Sequence, residues 1–185
     1  MARLYEQYKK ETRDALMKSF GYKNIMAVPK IEKIVVNCGF GRLVTEKTAE
    51  ERKKTEEYIC RSLALITGQK PVLKKAKKSI AAFKLRQGMV IGATVTLRRE
   101  RMYDFLEKLI KLVFPRTRDF RGIDPSAVNK NGDLTIGFKE YTPFPELRPE
   151  KEKGIFGLQV IIKTNARTQQ EGIALLKLLG FPFKK

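Results

Sequence analysis

The sequence predicts an α+β fold in which an antiparallel sheet carries helices packed on one face. Two observations predict it. Apolar and polar residues alternate over several short stretches, which is typical of strands with one buried face, and apolar residues recur at helical spacing between those stretches. After a first helix the elements run strand, helix, strand, strand, helix, strand, strand, helix, whose core is the split β-α-β pattern of RRM and ferredoxin-like folds. We expect one domain over residues 1–185.

The first half of the chain contains two helical and three strand patterns. Pro29 separates the first helix from the first strand, because proline cannot continue a helix. Gly68 is a C-terminal stop for the second helix. The predicted elements are a helix over residues 3 to about 19, strands at Ile31–Cys38, Val72–Leu73 and Met89–Arg98, and a helix over Thr45–Thr67.

In the second half the predicted order is helix, strand, strand, helix. Pro115 closes the strongest helical pattern, and Asn131-Gly132 is a turn signal before a strand. The proline-rich stretch Tyr141–Pro149 is predicted to be an irregular loop. The predicted elements are helices at Glu100–Phe114 and Thr168–Leu179, strands at Asp133–Lys139 and Ile155–Thr164, and a terminal apolar anchor at Phe181–Phe183.

Within these elements the spacing predicts which side chains are buried. In the first strand Ile34, Val36 and Cys38 are expected to face the core. The strand after the basic stretch has one apolar face, and its other face carries small or polar residues that suit contact with a ligand's backbone or with water. The helical stripe of Glu100–Phe114 comprises Met102, Phe105, Leu106, Leu109, Leu112 and Val113.

The glycine-rich turn Gly39-Phe40-Gly41-Arg42 follows the first strand directly. It fails as a dinucleotide-binding fingerprint because Val44 stands where the third glycine is needed. It shares only Gly-Phe-Gly with an RNA-recognition signature. We therefore interpret it as a plain connection from strand to helix.

Charge is the strongest functional signal. The net charge is +19, from 39 Lys and Arg against 20 Asp and Glu, and the pI is about 10.0. No acidic residue lies between Glu57 and Glu100, an interval with ten basic ones, and six of these lie between Lys74 and Arg86. We call Leu73–Gly88 the basic loop. A self-repelling segment of this kind is relieved by a polyanion, so we expect a nucleic acid as partner.

A second basic cluster, Arg116–Gly122, reads RTRDFRG. Its three arginines have Asp119 and Asp124 nearby in sequence. Internal ion pairs and contact with RNA are therefore equally good interpretations of this cluster.

Several classes of function are disfavoured by composition. The chain has no histidine, which removes the commonest general base and most zinc sites, and its two cysteines form no CxxC pair. We expect no catalytic residue, no metal and no cofactor. No apolar run approaches the roughly 20 residues that span a bilayer, and the N-terminus lacks a signal-peptide core. We expect a cytoplasmic protein with no membrane partner.

Together these stretches resemble a known family. Over nearly its whole length the chain resembles the bacterial form of the universal large-subunit ribosomal protein that binds 5S rRNA, ribosomal protein five of the large subunit. The matching stretches, in order, are VPKIEKI with Asn37, ITGQKP, AKKS, FKLRQG, IG, VTLR, ERM, PRTRDFRG, FPE, EG and GFPF.

The resemblance implies a structural constituent of the large ribosomal subunit that anchors 5S rRNA in the central protuberance. It implies 5S rRNA contacts from a sheet face and adjoining turn, at Asn37, Gln69, Thr94, Thr96 and Arg98. It also implies that the protruding basic loop faces P-site tRNA, through Lys74, Lys75, Lys77, Lys78, Ser79, Lys84 and Arg86. Further implied partners are 23S rRNA, neighbouring central-protuberance proteins and a protein of the small-subunit head across an intersubunit bridge.

Two departures from the family pattern stand out. The Thr45–Thr67 helix is longer than the family's usual bacterial length, and Arg99 replaces a glycine commonly found before Glu-Arg-Met. Other interpretations are a free RNA chaperone or tRNA-binding module, a nuclease using carboxylate-bound metal, and a basic membrane-surface protein. The scattered positions of Asp119, Asp124 and Asp133 speak against the nuclease, because capping and local pairing explain them more simply.

Overall fold

The computed structural model describes residues 3–45, 47–147 and 155–184. Within these residues five strands form one antiparallel sheet in the order β2-β3-β1-β5-β4, with helices packed on it. The α+β prediction is therefore confirmed. The strands are β1 (Ile31–Gly39), β2 (Val72–Lys75), β3 (Val90–Leu97), β4 (Leu134–Phe138) and β5 (Leu158–Thr164).

The helices lie before, between and after the strands, in the predicted order. They are α1 (Arg3–Gln7), α2 (Arg13–Phe20), α3 (Gly41–Val44), α4 (Ala49–Thr67), α5 (Arg99–Lys108), α6 (Phe114–Arg116) and α7 (Gln169–Leu178). One π-helical turn, Tyr8–Thr12, joins α1 to α2, and another, Leu109–Val113, joins α5 to α6.

The alternation predicted for the long strands is confirmed. Ile34, Val36 and Cys38 are fully buried, and Ala93, Val95 and Leu97 form the buried face of β3. The α4 residues Ile59, Leu63 and Ile66 are also buried, as their helical spacing predicts. The periodic apolar positions therefore make the core.

The predicted start of the second long helix was wrong. The helix predicted to begin at Thr45 begins at Ala49 as α4, and the separate short helix α3 has already ended at Val44. The side chain of Thr48 accepts a hydrogen bond from the backbone of Glu51, and the Glu51 carboxylate accepts one from the backbone of Thr48. This capping box fixes the start of α4.

The helix predicted to end before Pro115 also differs from expectation. Helical backbone continues to Arg116, and Leu112 lies within the π turn Leu109–Val113, whose different residue spacing moves side chains off the predicted apolar stripe. Leu112, predicted to be buried, is consequently 48% exposed. The strand predicted from Ile155 begins at Leu158, and the end of the predicted loop at Pro149 lies outside the described residues.

The chain divides into two compact units. The first comprises Met1–Val35, Thr96–Ile136 and Val160–Lys185, and the second comprises Val36–Val95 and Gly137–Gln159. The single domain over residues 1–185 stays a prediction.

A buried carboxylate organises part of the first unit. Asp133 accepts hydrogen bonds from Lys163 Nζ at 2.8 Å and from the backbone N–H of Thr164 at 2.9 Å. The Thr164 hydroxyl in turn donates to the carbonyl of Gly132 at 3.0 Å. The turn before β4 is thereby fastened to the end of β5.

The C-terminal residues of the first unit are held by the loop after α6. The N–H of Ile123 donates to the carbonyl of Pro182 at 2.7 Å, and the N–H of Lys184 donates to the carbonyl of Ile123 at 2.9 Å. Phe181 is buried with its ring 6.0 Å from that of Phe114. The predicted apolar anchor is therefore confirmed.

Aromatic packing dominates the second unit. The rings of Tyr141 and Phe156 stack 4.6 Å apart, and the hydroxyl of Tyr58 donates to that of Tyr141 at 3.2 Å.

Burial, with a smaller contribution from Cys60, raises the pKa of the Cys38 thiol to about 12. Cys38 is therefore an inert core residue, as predicted.

Candidate nucleic-acid interface

The basic loop comprises the last residues of β2 and the ordered hairpin tip that joins β2 to β3. The N–H groups of Ile80 and Leu85 each donate to the other's carbonyl, at 3.0 and 3.1 Å. At the base of the tip, Ala76 N–H donates to Met89 O at 2.8 Å and Gly88 N–H donates to Ala76 O at 3.0 Å. The loop holds its shape through its own backbone, so its lysines are presented on a defined surface.

Side chains also stabilise this tip. The Ser79 hydroxyl accepts a hydrogen bond from the backbone of Gln87 at 2.9 Å, which gives this predicted site residue a structural role within the loop. Lys84 has a left-handed backbone at φ 51°. Such a conformation is uncommon for lysine and turns the chain sharply at the apex.

The loop's charges face solvent. Lys77, Lys78, Lys84 and Arg86 are exposed within the tip, whereas Lys74 and Lys75 lie on β2, also exposed. Within the described residues, no ion pair joins Lys74, Lys75, Lys77, Lys78 or Arg86 to a carboxylate. Their charge is therefore available to a polyanion.

The polar sheet positions form a second, less charged surface. The backbone N–H of Phe40 donates to the carbonyl of Ile91 at 2.9 Å, and continuing this antiparallel ladder sets Asn37 opposite Thr94. Both side chains are half-buried. The Asn37 amide donates to Gln159 Oε1 at 3.4 Å, which orients it.

Gln159 is a residue that the sequence interpretation missed. It occupies an exposed polar position in β5, where Leu158 and Val160 on either side are buried. That alternation was a signal that could have placed it on the polar face.

The remaining predicted contacts lie at the ends of elements. Gln69 follows Gly68, the left-handed residue that caps the C-terminus of α4, and the N–H of Gln69 donates to the Thr67 hydroxyl at 3.4 Å. Asn37, Gln69 and Thr94 belong to the second unit, whereas Thr96 and Arg98 belong to the first. Thr96 is exposed two residues beyond Thr94 on β3, and Arg98 is exposed just before α5.

The second basic cluster is not neutralised internally. Arg116, Arg118 and Arg121 are exposed, and in the part of the chain that the structure describes no ion pair joins them to Asp119 or Asp124. Asp124 instead accepts a hydrogen bond from the backbone of Ser126 at 2.8 Å. Hydrogen bonds from the Ser126 side chain and backbone lower the pKa of the Asp124 carboxyl. Of the two interpretations left open, internal pairing is wrong.

The carboxylates do not assemble a metal centre. Asp124 caps a turn, as predicted, whereas Asp133 pairs with Lys163, a residue distant in sequence rather than a local partner. Among the residues described, no group of three or more potential metal ligands comes together. No helix in the same residues has both the length and the apolar character needed to cross a membrane.

Arg99, which stands where the family commonly has a glycine, adopts a left-handed backbone conformation that glycine adopts readily. Its φ is 55°, in the left-handed region, two residues after β3 ends at Leu97. A residue with a Cβ in this region costs roughly 1–2 kcal/mol relative to the right-handed one. The substitution therefore stores strain at the junction of β3 and α5.

We expect Arg99→Gly to raise the free energy of unfolding by about 0.5–1 kcal/mol, since relief of this strain exceeds the entropy cost of glycine. Urea denaturation at constant pH measures it. Arg99→Ala is the matched control, because it removes the same charge but keeps the Cβ. An equal gain from alanine would show that charge repulsion, not backbone strain, limits stability there.

The fold and these surfaces define a class: a basic α+β protein that presents an ordered cationic loop beside a polar sheet face. Two family models match the chain. The model described as "Ribosomal protein L5" matches residues 24–86, and the model of the C-terminus of the same ribosomal protein family matches residues 90–183. The chain therefore belongs to the ribosomal protein L5 family.

Curated relatives agree along the full length. Proteins named "Large ribosomal subunit protein uL5" from Citrifermentans bemidjiense and Caldanaerobacter subterraneus are 52% and 50% identical over 184 and 185 residues. One from Alkaliphilus oremlandii is 49% identical over 185 residues. The alignments cover all of this chain and 99–100% of each relative.

Family membership confirms the resemblance inferred from the motifs. It also confirms a ribosomal protein that is not an enzyme, and it agrees with the predicted cytoplasmic location. The individual rRNA-facing and tRNA-facing residues stay predictions.

Proposed function

We propose that this chain, a structural constituent of the large ribosomal subunit, binds 5S rRNA through the polar sheet positions and anchors it in the central protuberance. Its basic loop faces P-site tRNA. In the same assembly it lies against 23S rRNA and neighbouring proteins, and it bridges to a protein of the small-subunit head. The observation that carries the proposal is the presence of two chemically different surfaces, one polar and largely uncharged, the other cationic and preorganised.

The polar surface suits recognition of RNA shape. Asparagine, glutamine and threonine side chains hydrogen-bond to 2′-hydroxyls, phosphates and exposed base edges over short distances. Asn37 is already oriented by Gln159, so less side-chain freedom is lost on binding. Arg98 adds a charged contact at the edge of this face.

The cationic surface suits a phosphate backbone. Lysine is a point charge on a flexible stem, so it attracts phosphates without reading sequence. Because the loop backbone is internally hydrogen-bonded, the charges stay concentrated on a narrow projection. Such a projection can touch a tRNA whatever its sequence.

A salt titration tests the 5S rRNA assignment. Binding of the purified chain to 5S rRNA is compared with binding to an unrelated structured RNA of similar length. We expect a preference for 5S rRNA that persists as salt rises, because polar contacts survive screening, whereas charge alone gives equal affinities and parallel slopes. Equal affinities at every salt concentration would refute specific recognition.

The same titration with Asn37→Ala combined with Thr96→Ala tests the residues. We expect affinity for 5S rRNA to fall about tenfold with an unchanged salt slope, since each lost hydrogen bond contributes about 0.5–1.5 kcal/mol and neither residue is charged. Thr135→Ala, at another exposed polar strand position, is the control. A flattened slope would contradict the assignment of uncharged contacts.

A further inference from the structure

A cavity of ≈ 640 Å³ lies in the first unit; among the residues assigned above to RNA contact, only Arg98 lines it. It opens among the N-terminal helix, the connector after α2, the start of β1 and the start of α5. A second cavity of ≈ 660 Å³ shares three of its lining residues, Tyr5, Arg98 and Arg99. Each volume is in the range of small-molecule sites.

One wall of the first cavity is a rigid aromatic cluster. The rings of Tyr5 and Tyr8 lie 4.9 and 6.4 Å from that of Tyr103. The buried Tyr8 hydroxyl donates to the carbonyl of Pro29 at 3.1 Å, which fixes this ring. Lys9 Nζ stands 4.3 Å from the centre of the Tyr5 ring, so the ring holds an ammonium group at this wall.

The cavity's charge is strongly positive. Its only acidic lining residue is Glu32, and its cationic lining residues are Lys9, Arg13, Lys30, Lys33, Arg98 and Arg99. The Nε of Arg13 has no hydrogen-bond partner among the described residues, but it lies 3.7 Å from Oδ1 of Asp14, with which it forms an ion pair. The six cations of the lining outnumber its single carboxylate, and this excess of positive charge favours an anionic ligand.

The rim of the cavity is apolar. Ile25 and Met26 are 51% and 75% exposed on a short 3₁₀ turn, and both line the cavity. The turn is fixed, because the Asn24 side chain accepts a hydrogen bond from the Met26 backbone at 2.8 Å. Two large apolar side chains are thus held in solvent next to a cluster of cations.

A nucleotide has the complementary composition, an anionic phosphate attached to a flat, largely apolar base. In a duplex the base faces are covered by their neighbours, so only an unpaired nucleotide can present one to Met26. Arg99, with its left-handed backbone, is placed where strain is commonly retained for binding.

We propose that this cavity is a subsite for an unpaired nucleotide of the bound RNA. Its phosphate lies against Arg13, Arg98 and Arg99, and its base lies against Ile25 and Met26. The inference rests on the proposed RNA-binding function and extends the contact surface from the sheet to the connector after α2.

The test is Ile25→Ser combined with Met26→Ser. The matched control is Leu112→Ser combined with Leu178→Ser, two apolar side chains of the same unit that are 48% and 40% exposed and line neither cavity. Binding is measured to 5S rRNA, to a single-stranded oligoribonucleotide of about 12 nucleotides, a common site size, and to the same sequence as a duplex.

We expect the Ile25/Met26 variant to bind the single strand and 5S rRNA about tenfold more weakly, within the range for losing one base contact. Duplex binding and the salt slope stay unchanged, and the control variant binds all three RNAs like the parent. Equal losses on single strand and duplex, or no loss on either, would overturn the subsite. Unchanged melting temperatures show that both variants remain folded.

Two outcomes distinguish failure of the subsite from failure of the proposed 5S rRNA binding on which it rests. If the parent chain itself shows no preference for 5S rRNA, the proposed function fails. If the parent has that preference and the Ile25/Met26 variant keeps full affinity, only the subsite fails. Vesicles of phosphatidylserine and phosphatidylcholine complete the test, because a variant that loses vesicle binding but not RNA binding identifies a lipid headgroup site and refutes the nucleotide.

Discussion

Replacing Lys74, Lys75, Lys77 and Lys78 together by alanine is expected to weaken tRNA binding by about two to three orders of magnitude near 0.1 M salt. Each phosphate contact adds roughly 0.7–0.9 to the dependence of log affinity on log salt, so losing four flattens that slope by about three. The affinities of parent and variant then converge towards 1 M salt. Filter binding across a salt series measures both quantities.

The variant is expected to stay folded. The hydrogen bonds of the loop tip come from backbone groups and from Ser79, and the four replaced side chains are exposed. Removing four like charges from one segment also relieves repulsion within it. A changed melting temperature would therefore indicate an unforeseen role for these lysines in the fold.

A charge-matched control separates position from net charge. Lys53, Lys54, Lys130 and Lys177 are exposed lysines outside the basic loop, and changing them to alanine lowers the net charge equally. We expect tRNA affinity to change only slightly in this control. Equal losses of tRNA affinity in both variants would mean that tRNA contacts the chain without a preferred surface. If the loop variant lost its preference for 5S rRNA, the proposed division of roles between the two surfaces would be refuted.

Gly172→Ala is expected to destabilise the fold by more than about 3 kcal/mol, the order of a severe core substitution. A Cβ at this position would lie 2.5 Å from both the Cα and the carbonyl oxygen of Gly132. These are backbone atoms of a turn, and they cannot rotate away as the end of a side chain could. In most helices, replacing glycine with alanine stabilises the protein by about 0.5–1 kcal/mol. A large destabilisation would therefore identify the clash between the new Cβ and the backbone of Gly132.

The contacts of Gly132 explain why the turn cannot move away from Gly172. Gly132 has φ +76°, and a Cβ there would lie 2.6 Å from the Cβ of Ala166. Its carbonyl accepts the Thr164 hydroxyl, and the next residue, Asp133, is bonded to Lys163 and Thr164. Moving the turn away from Gly172 would disturb this network as well.

Urea denaturation of Gly172→Ala beside Gly137→Ala measures the effect. A Cβ at Gly137 would meet nothing within 4 Å, so the control makes the same chemical change without a clash. We expect the control to stay within about 1 kcal/mol of the parent, the usual intrinsic difference between glycine and alanine. A Gly172 variant as stable as the control would show that α7 can move away from the turn.

The alternating and helical patterns of the sequence by themselves determined the elements and most of the core. Ile34, Val36 and Cys38 are buried because residues two apart in a strand share a face, a property of the local backbone alone. The capping box of Thr48 and Glu51 was equally local, and the true start of α4 could have been predicted from it. The stretch between Glu57 and Glu100, rich in basic residues and without an acidic one, likewise indicated a polyanionic partner.

Only the tertiary structure decided how these elements meet. The contact of Asn37 with Gln159, the network of Asp133 with Lys163, and the approach of Gly172 to Gly132 join segments distant in sequence. The cavity beside Tyr5 and Arg99 is assembled in the same way from four separate segments. Local periodicity states which face of an element is buried but not which partner covers it, because pairing depends on packing the whole chain at once.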